Sequence, residues 1–180
     1  MNNSDRELRR LADPAPEEVA GFSCQDVPDL QEFIRQDAMD DYVKQHLAVI
    51  YLGWCGADLV GYFALSCGIL RIQEFSKGER AKAELDRTVE SIPGVLLGRL
   101  AVDERFRKRG FGGWLFREAV GIARNAIAPL AGCRFLFVDA RSEAIDWYER
   151  KACSVLGPAK MPPATTRMGL DLFPPPDPSN

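Results

Sequence analysis

Hydrophobic and polar positions follow two rhythms along this chain. From Asp26 and Pro28, the residues Leu30, Phe33, Ile34, Ala38 and Tyr42 recur at helical spacing, with Asp26 as candidate cap. Residues 46–54 are rich in Leu, Val, Ile and Tyr and predict a strand. Cys55-Gly56-Ala57-Asp58 then turns the chain into a second strand over 59–66, forming a hairpin. Residues 71–90 are charged, with a short helix predicted over 79–85. Ser91-Ile92-Pro93-Gly94 introduces a strong strand over 95–102. Trp114, Leu115, Ala119, Ile122, Ala123 and Ala126 form the apolar stripe of a helix that Pro129 and Gly132 should end. A buried-type strand over 133–138, a short helix over 142–150 with Ser142 as cap, and a last strand over 167–173 complete the pattern. Residues 1–20, punctuated by Asp13-Pro14-Ala15-Pro16, read as a flexible arm or short first helix. The Pro-rich tail, 174–180, reads as disordered. This order predicts an α/β protein: a single domain over 21–173, with a mixed sheet covered by helices rather than a regular doubly wound fold.

Composition adds bounds. The chain has 180 residues, 46% hydrophobic and 27% charged, which suits one globular domain with a sizeable core. No apolar run reaches the roughly 18–20 residues of a membrane helix, and the polar N-terminus is no secretory signal. Cys24, Cys55, Cys67, Cys133 and Cys153 are odd in number, scattered and without a Cys-x-x-Cys pair, as expected of reduced cysteines in the cytoplasm. No metal site is expected, because His46 is the only histidine and reads as structural or surface. Charge is unevenly spread: residues 1–90 carry 10 basic and 17 acidic side chains, residues 91–180 carry 13 and 9. A basic half in an acidic protein points to a localised anionic ligand more than to a broad nucleic-acid surface.

The ligand's place is legible between positions 107 and 113, Arg-Lys-Arg-Gly-Phe-Gly-Gly, which lie between a strand and a helix. Glycines let the backbone come close to a ligand, and the first amides of a helix are unpaired donors at the positive end of its dipole. Arg107, Lys108 and Arg109 add charge, so the segment suits a pyrophosphate. A dinucleotide fingerprint would need glycine or alanine where Leu115 stands, and a P-loop would need Gly-Lys-Ser/Thr. An ordinary basic strand-to-helix turn remains open on the glycines alone.

The neighbouring residues resolve this by resemblance. Arg107-x-x-Gly110-x-Gly112 resembles the R/Q-x-x-G-x-G/A signature of the GNAT superfamily of acetyl-CoA-dependent N-acetyltransferases. The stretch from Leu97 to Asp103 is similar to that family's fourth strand, the stretch from Gly132 to Ala140 to its fifth, and Ala144 to Arg150 to the following helix with its tyrosine. Phe22-Ser23-Cys24, Leu30 to Ile34 and Leu59 to Leu65 are similar to one branch, which includes toxins of toxin–antitoxin pairs that acetylate aminoacyl-tRNA. The resemblance covers about residues 20–173 and implies a mixed sheet whose fourth and fifth strands splay apart around acetyl-CoA. It implies that the backbone of Leu100, Ala101 and Val102 holds the pantetheine arm. It further implies that one of these amides polarises the thioester carbonyl, and that Arg107, Lys108, Arg109, Gly110, Phe111, Gly112 and Gly113 bind the pyrophosphate. Tyr148 would be the general acid that protonates the leaving thiolate, since a phenol is protonated at neutral pH.

Other candidates are weaker. Asp103, Glu104 and Asp139 could each be a base, but acids at strand ends are commonly solvated or capping, and no base is assigned. Arg99, inside a strand, either lines the acceptor side or forms a salt bridge. Ala152-Cys153 stands where many relatives have Gly-Phe, which places the turn into the sixth strand in question, and Cys153 has no histidine to make it a nucleophile. The expected activity is acetyl transfer from acetyl-CoA to a primary amine on a small molecule or protein. Two alternatives stand beside it: a toxin acting on the amino group of aminoacyl-tRNA, and a non-catalytic acyl-CoA-binding regulatory module. Homodimerisation is common in the resembled branch, so a homodimer is the further partner it suggests.

Overall fold

The computed structural model describes residues 5–82, 84–85, 89–158 and 165–174. Seven strands form one mixed sheet in the order β1-β2-β3-β4-β5-β7-β6. They are β1 (Arg6–Arg10), β2 (Val49–Cys55), β3 (Asp58–Arg71), β4 (Ser91–Val102), β5 (Phe135–Ala140), β6 (Ser154–Pro158) and β7 (Thr166–Asp171). The helices are α1 (Pro28–Glu32), which continues with wider π turns over Phe33–Val43, then α2 (Lys77–Lys82), α3 (Phe111–Ile122), α4 (Ala128–Ala131) and α5 (Ile145–Glu149). Contact density divides the chain into two compact units, Met1–Ser66 with Leu97–Ala119, and Cys67–Leu96 with Val120–Asn180.

In the first unit, β2 and β3 form the expected hairpin, and the expected arm contributes a strand. Arg6–Arg10 pairs antiparallel with β2 along its length, from Arg6 opposite Cys55 to Arg10 opposite Tyr51. Its sequence, Arg-Glu-Leu-Arg-Arg, has no apolar alternation to announce a strand. Backbone pairing and stacking of Arg6, Arg9 and Arg10 over Phe111, Trp54 and Tyr51 hold it instead. The core lies between the hairpin and α1, where Phe22 meets Tyr62 edge-on at 5.4 Å and Phe33 stacks on Tyr62 at 6.0 Å. The Tyr62 hydroxyl donates to the Leu30 carbonyl at 2.6 Å, fixing the helix to the sheet. Asp26 does not cap α1: the capping position is Val27, without a side-chain hydrogen bond. Two hairpin glycines seat α3. A β-carbon on Gly53 would stand 2.6 Å from Leu115, and one on Gly61 would stand 2.5 Å from the Ala101 carbonyl and 2.7 Å from Leu115.

In the second unit, Leu70, Ile72, Phe75, Ile92, Phe135, Phe137 and Leu156 form the core. Gly68 and Gly94 leave room for the Phe137 ring. β4 pairs parallel with β5 through Gly94, Val95 and Leu96 opposite Phe135, Leu136 and Phe137. Gly132 ends the helical run as expected, in the left-handed conformation at φ 68°. Pro129 does not end it, because it sits in the first turn of α4, where no backbone N–H is needed. Ser142 is not a cap either; Arg141 holds that position, and the Ser142 hydroxyl donates to Glu143. β6 extends the sheet beyond the expected last strand, and the turn into it forms without glycine, with Ala152 at φ 62°. A side chain in that conformation costs about 1–2 kcal/mol. The tail from 175 onward lies outside the described residues.

Candidate active site

The glycine turn is built by its own residues and held by the segment before α1. Leu97 to Val102 form the end of β4, and the Asp103 N–H donates to the Val60 carbonyl at 3.0 Å. The Asp103 side chain is fully buried and caps a short 3₁₀ turn, Glu104–Phe106, by accepting from the Arg105 amide at 3.0 Å. It also accepts from Arg105 Nε at 2.8 Å and from the Ser23 amide at 3.0 Å. Burial pushes this carboxyl up, but the hydrogen bonds of Arg105 and the two amides together outweigh it and hold it below its ordinary range. Asp103 is thus a latch with its oxygens occupied. Glu104 extends the latch: its amide donates to the Ser23 carbonyl at 2.9 Å, and its carboxylate accepts from the Ser23 hydroxyl at 2.8 Å.

Arg107 occupies the first position of the expected signature, yet its guanidinium turns back on Asp26. Two nitrogens reach the Asp26 carboxylate at 2.5 Å each, a third contact reaches Cys24 Sγ at 3.0 Å, and Nε lies 3.4 Å from the Val102 carbonyl. The hydrogen bonds from Arg107 hold the Asp26 carboxyl below its ordinary range. The positive charge left for an anion therefore comes from Lys108 and Arg109, both exposed. Lys108 is at φ 57° and Gly110 at φ 84°, and a β-carbon on Gly110 would meet nothing within 4 Å. This backbone is open on its outer side, as a phosphate cradle must be. α3 starts at Phe111, and the Trp114 N–H donates to the Gly110 carbonyl at 3.1 Å. The amides of Phe111, Gly112 and Gly113 thus precede the helix's own hydrogen-bond ladder. Phe111 is buried against Phe106 and Trp114 and anchors the turn. Of the remaining expected ligand residues, Ala101 is buried in the core cluster while Leu100 and Val102 are half-buried.

The Asp26 contact makes a test. With Asp26→Asn, the turn loses its charged anchor, and KM for acetyl-CoA is expected to rise about 2- to 5-fold, the scale of an ion pair near the surface. A fall in KM would show instead that Arg107 competes for the pyrophosphate and Asp26 restrains it.

Tyr148 lies on α5 in the second unit, buried, its ring perpendicular to Trp147 at 4.9 Å. Burial, with a lesser contribution from Cys153, pushes the phenol above its ordinary value, so it keeps its proton throughout the neutral range. Cys153 is buried and its thiol is pushed up to about 12 by burial, the opposite of a nucleophilic cysteine. Asp139 is paired with Arg167 at 2.8 and 3.0 Å. Among the described residues, no group of three or more His, Cys, Asp or Glu could hold a metal ion, and no helix is long and apolar enough to cross a membrane. Sequence reading missed Ser23 and Asp26 as supports of the turn and Gly53 as a seat for α3; nothing local marks them, because their partners lie far along the chain.

No family model matches this chain. A tRNA-acetylating toxin of Mycobacterium tuberculosis (strain ATCC 25618 / H37Rv) is 30% identical over 133 residues, 73% of this chain and 74% of that protein. The chain belongs to the GNAT superfamily of acetyl-CoA-dependent N-acetyltransferases. Solved structures agree on the fold of this acetyltransferase. AtaT complexed with acetyl-methionyl-tRNAfMet is 23% identical, with a TM-score of 0.74 over 94% of this chain and 95% of that one. A tyrosine-to-phenylalanine mutant of KacT is 21% identical, with a TM-score of 0.76 over 93% and 95%. AtaTR bound with acetyl-CoA is 20% identical, with a TM-score of 0.73 over 94% and 95%. The reaction class follows: this is an acetyl-CoA-dependent N-acetyltransferase, with acetyl-CoA as its co-substrate.

Proposed function

We propose that this acetyltransferase modifies the α-amino group of the amino acid carried by aminoacyl-tRNA, and so blocks translation. The observation that carries this choice of acceptor is the likeness, across about three-quarters of both chains, to a protein that acetylates tRNA. The basic second half of the chain, with 13 basic and 9 acidic side chains over residues 91–180, supports it.

In this reading the chain's own groups divide the work. Main-chain groups of Leu100, Ala101 and Val102 align the pantetheine arm, and one amide polarises the thioester carbonyl. Amides of Arg109, Gly110, Phe111, Gly112 and Gly113 hold the pyrophosphate, with Lys108 and Arg109 adding charge. The neutral amine attacks the carbonyl carbon. The N–C bond forms, the C–S bond breaks, the amine's surplus proton leaves to water, and Tyr148 delivers its proton to the departing sulfur.

The test is acetyl transfer by the purified protein to aminoacyl-tRNA, measured against small primary amines and lysine-containing peptides. Acetylated aminoacyl-tRNA as the dominant product is expected. Preference for a small amine or a peptide would overturn this acceptor and leave the reaction class standing. An antitoxin partner and a homodimer belong to the same proposal; growth arrest on expression without a partner and a dimer mass by light scattering are the expected results.

A further inference from the structure

Arg99 has neither of the usual satisfactions of a charge placed inside a strand. It lies on β4, half-buried, and its guanidinium rests over the Phe33 ring at 5.0 Å. One terminal nitrogen donates to the neighbouring Gly98 carbonyl at 2.9 Å. Its Nε is buried and has no hydrogen-bond partner, and no carboxylate pairs with it among the described residues. The salt bridge that the sequence left open is therefore not made with any described residue. The aromatic face attracts the cation but accepts none of its N–H donors. The neighbouring arginines are better provided for: Arg105 is held by Asp103 and Arg107 by Asp26. A partly buried guanidinium with unused donors fits an anion that arrives with a ligand.

Its position along β4 says which ligand. The pyrophosphate turn follows the strand's C-terminal end, and the pantetheine arm is assigned to Val102, Ala101 and Leu100. Arg99 is the next residue, beyond the thioester end of the donor and on the acceptor's side. By strand alternation its side chain shares a face with Leu97 and Ala101, toward the cluster that contains Phe33. The geometry points to Arg99 as the residue that binds the phosphodiester joining the last two nucleotides of the acceptor, the anion nearest the aminoacyl ester. This rests on the aminoacyl-tRNA reading above and adds to it a specificity-determining contact.

Two short acceptors isolate that one anion: an aminoacyl-adenosine, which has no phosphodiester, and an aminoacyl-CpA dinucleotide, which has one. The full-length enzyme is expected to favour the dinucleotide about tenfold in kcat/KM, a typical difference for one good charged contact. Arg99→Gln should abolish the preference by raising KM for the dinucleotide, with KM for acetyl-CoA unchanged; Arg99→Lys should keep part of it. With whole aminoacyl-tRNA, Arg99→Gln should also reduce the slope of log(kcat/KM) against log salt concentration by about 0.7, the value for one phosphate contact on a single strand. A purely structural arginine would leave both the preference and the slope in place. An unchanged preference in Arg99→Gln, or none in the wild type, overturns this inference while the acceptor assignment stands. Failure of the wild type to acetylate aminoacyl-tRNA overturns both.

Discussion

Replacing Tyr148 with phenylalanine is expected to lower kcat for acetyl transfer by about 10²- to 10⁴-fold, the usual contribution of a positioned general acid. The physical reason is specific to the proton. A phenol held above its ordinary value by burial is wholly protonated at neutral pH, and phenylalanine keeps the ring against Trp147 while removing only the hydroxyl. Binding of acetyl-CoA should therefore change little, so the effect falls on kcat with KM for the donor nearly constant. Because the phenol is raised, the wild-type rate should show no alkaline fall from its ionisation until the pH is well past 10. Steady-state kinetics with aminoacyl-tRNA over a pH series check both points. A Tyr148→Phe enzyme within about tenfold of wild type would remove Tyr148 from the chemistry, because that is less than a general acid supplies.

The second large effect is on the donor. Gly110→Val should lower the affinity for acetyl-CoA by at least about tenfold, or ~1.4 kcal/mol, as read by calorimetry. Gly110 is at φ 84°, where a β-branched residue is strongly disfavoured, and the space over its missing β-carbon is open. A β-carbon at this position would meet nothing within 4 Å, so the expected damage lies in the turn's conformation and in whatever approaches its outer face. Backbone strain of about 1–3 kcal/mol predicts a drop in melting temperature of roughly 2–12 °C for a chain of this size. A folded variant that binds acetyl-CoA normally would show that the turn does not hold the pyrophosphate.

These two residues differ in how they could be read. Gly110 stood out in the sequence as part of a basic glycine turn between a strand and a helix, but an ordinary turn stayed open until the family resemblance was added. Tyr148 did not: a tyrosine on a short amphipathic helix is ordinary until family resemblance singles it out. Arg107 shows the limit of a motif. The signature marks its position, but the structure attaches its guanidinium to Asp26, 81 residues earlier in the chain. Asp103 and Asp26 carried other expectations, as a base and as a helix cap. Instead Asp103 holds Arg105 just before the glycine turn and the Ser23 amide 80 residues earlier, while Asp26 holds Arg107; no short-range pattern records the two distant contacts.

Hydrophobic periodicity and backbone chemistry alone were enough for the hairpin of β2 and β3, for β4, for the glycine turn and for α3. Each is dictated by interactions within a few residues. Tertiary structure decided the rest. β1 is a strand only because β2 offers its edge, since Arg-Glu-Leu-Arg-Arg has no apolar face of its own. Gly53 and Gly61 matter only because Leu115 comes to rest on them. Ala152 takes a left-handed conformation because the turn from α5 into β6 demands it. Arg99, an equivocal charge in the sequence, acquired its meaning when the fold laid it over Phe33 and supplied no described carboxylate. Local pattern specifies an element, but the partner of a charge or a glycine is chosen only when distant segments meet.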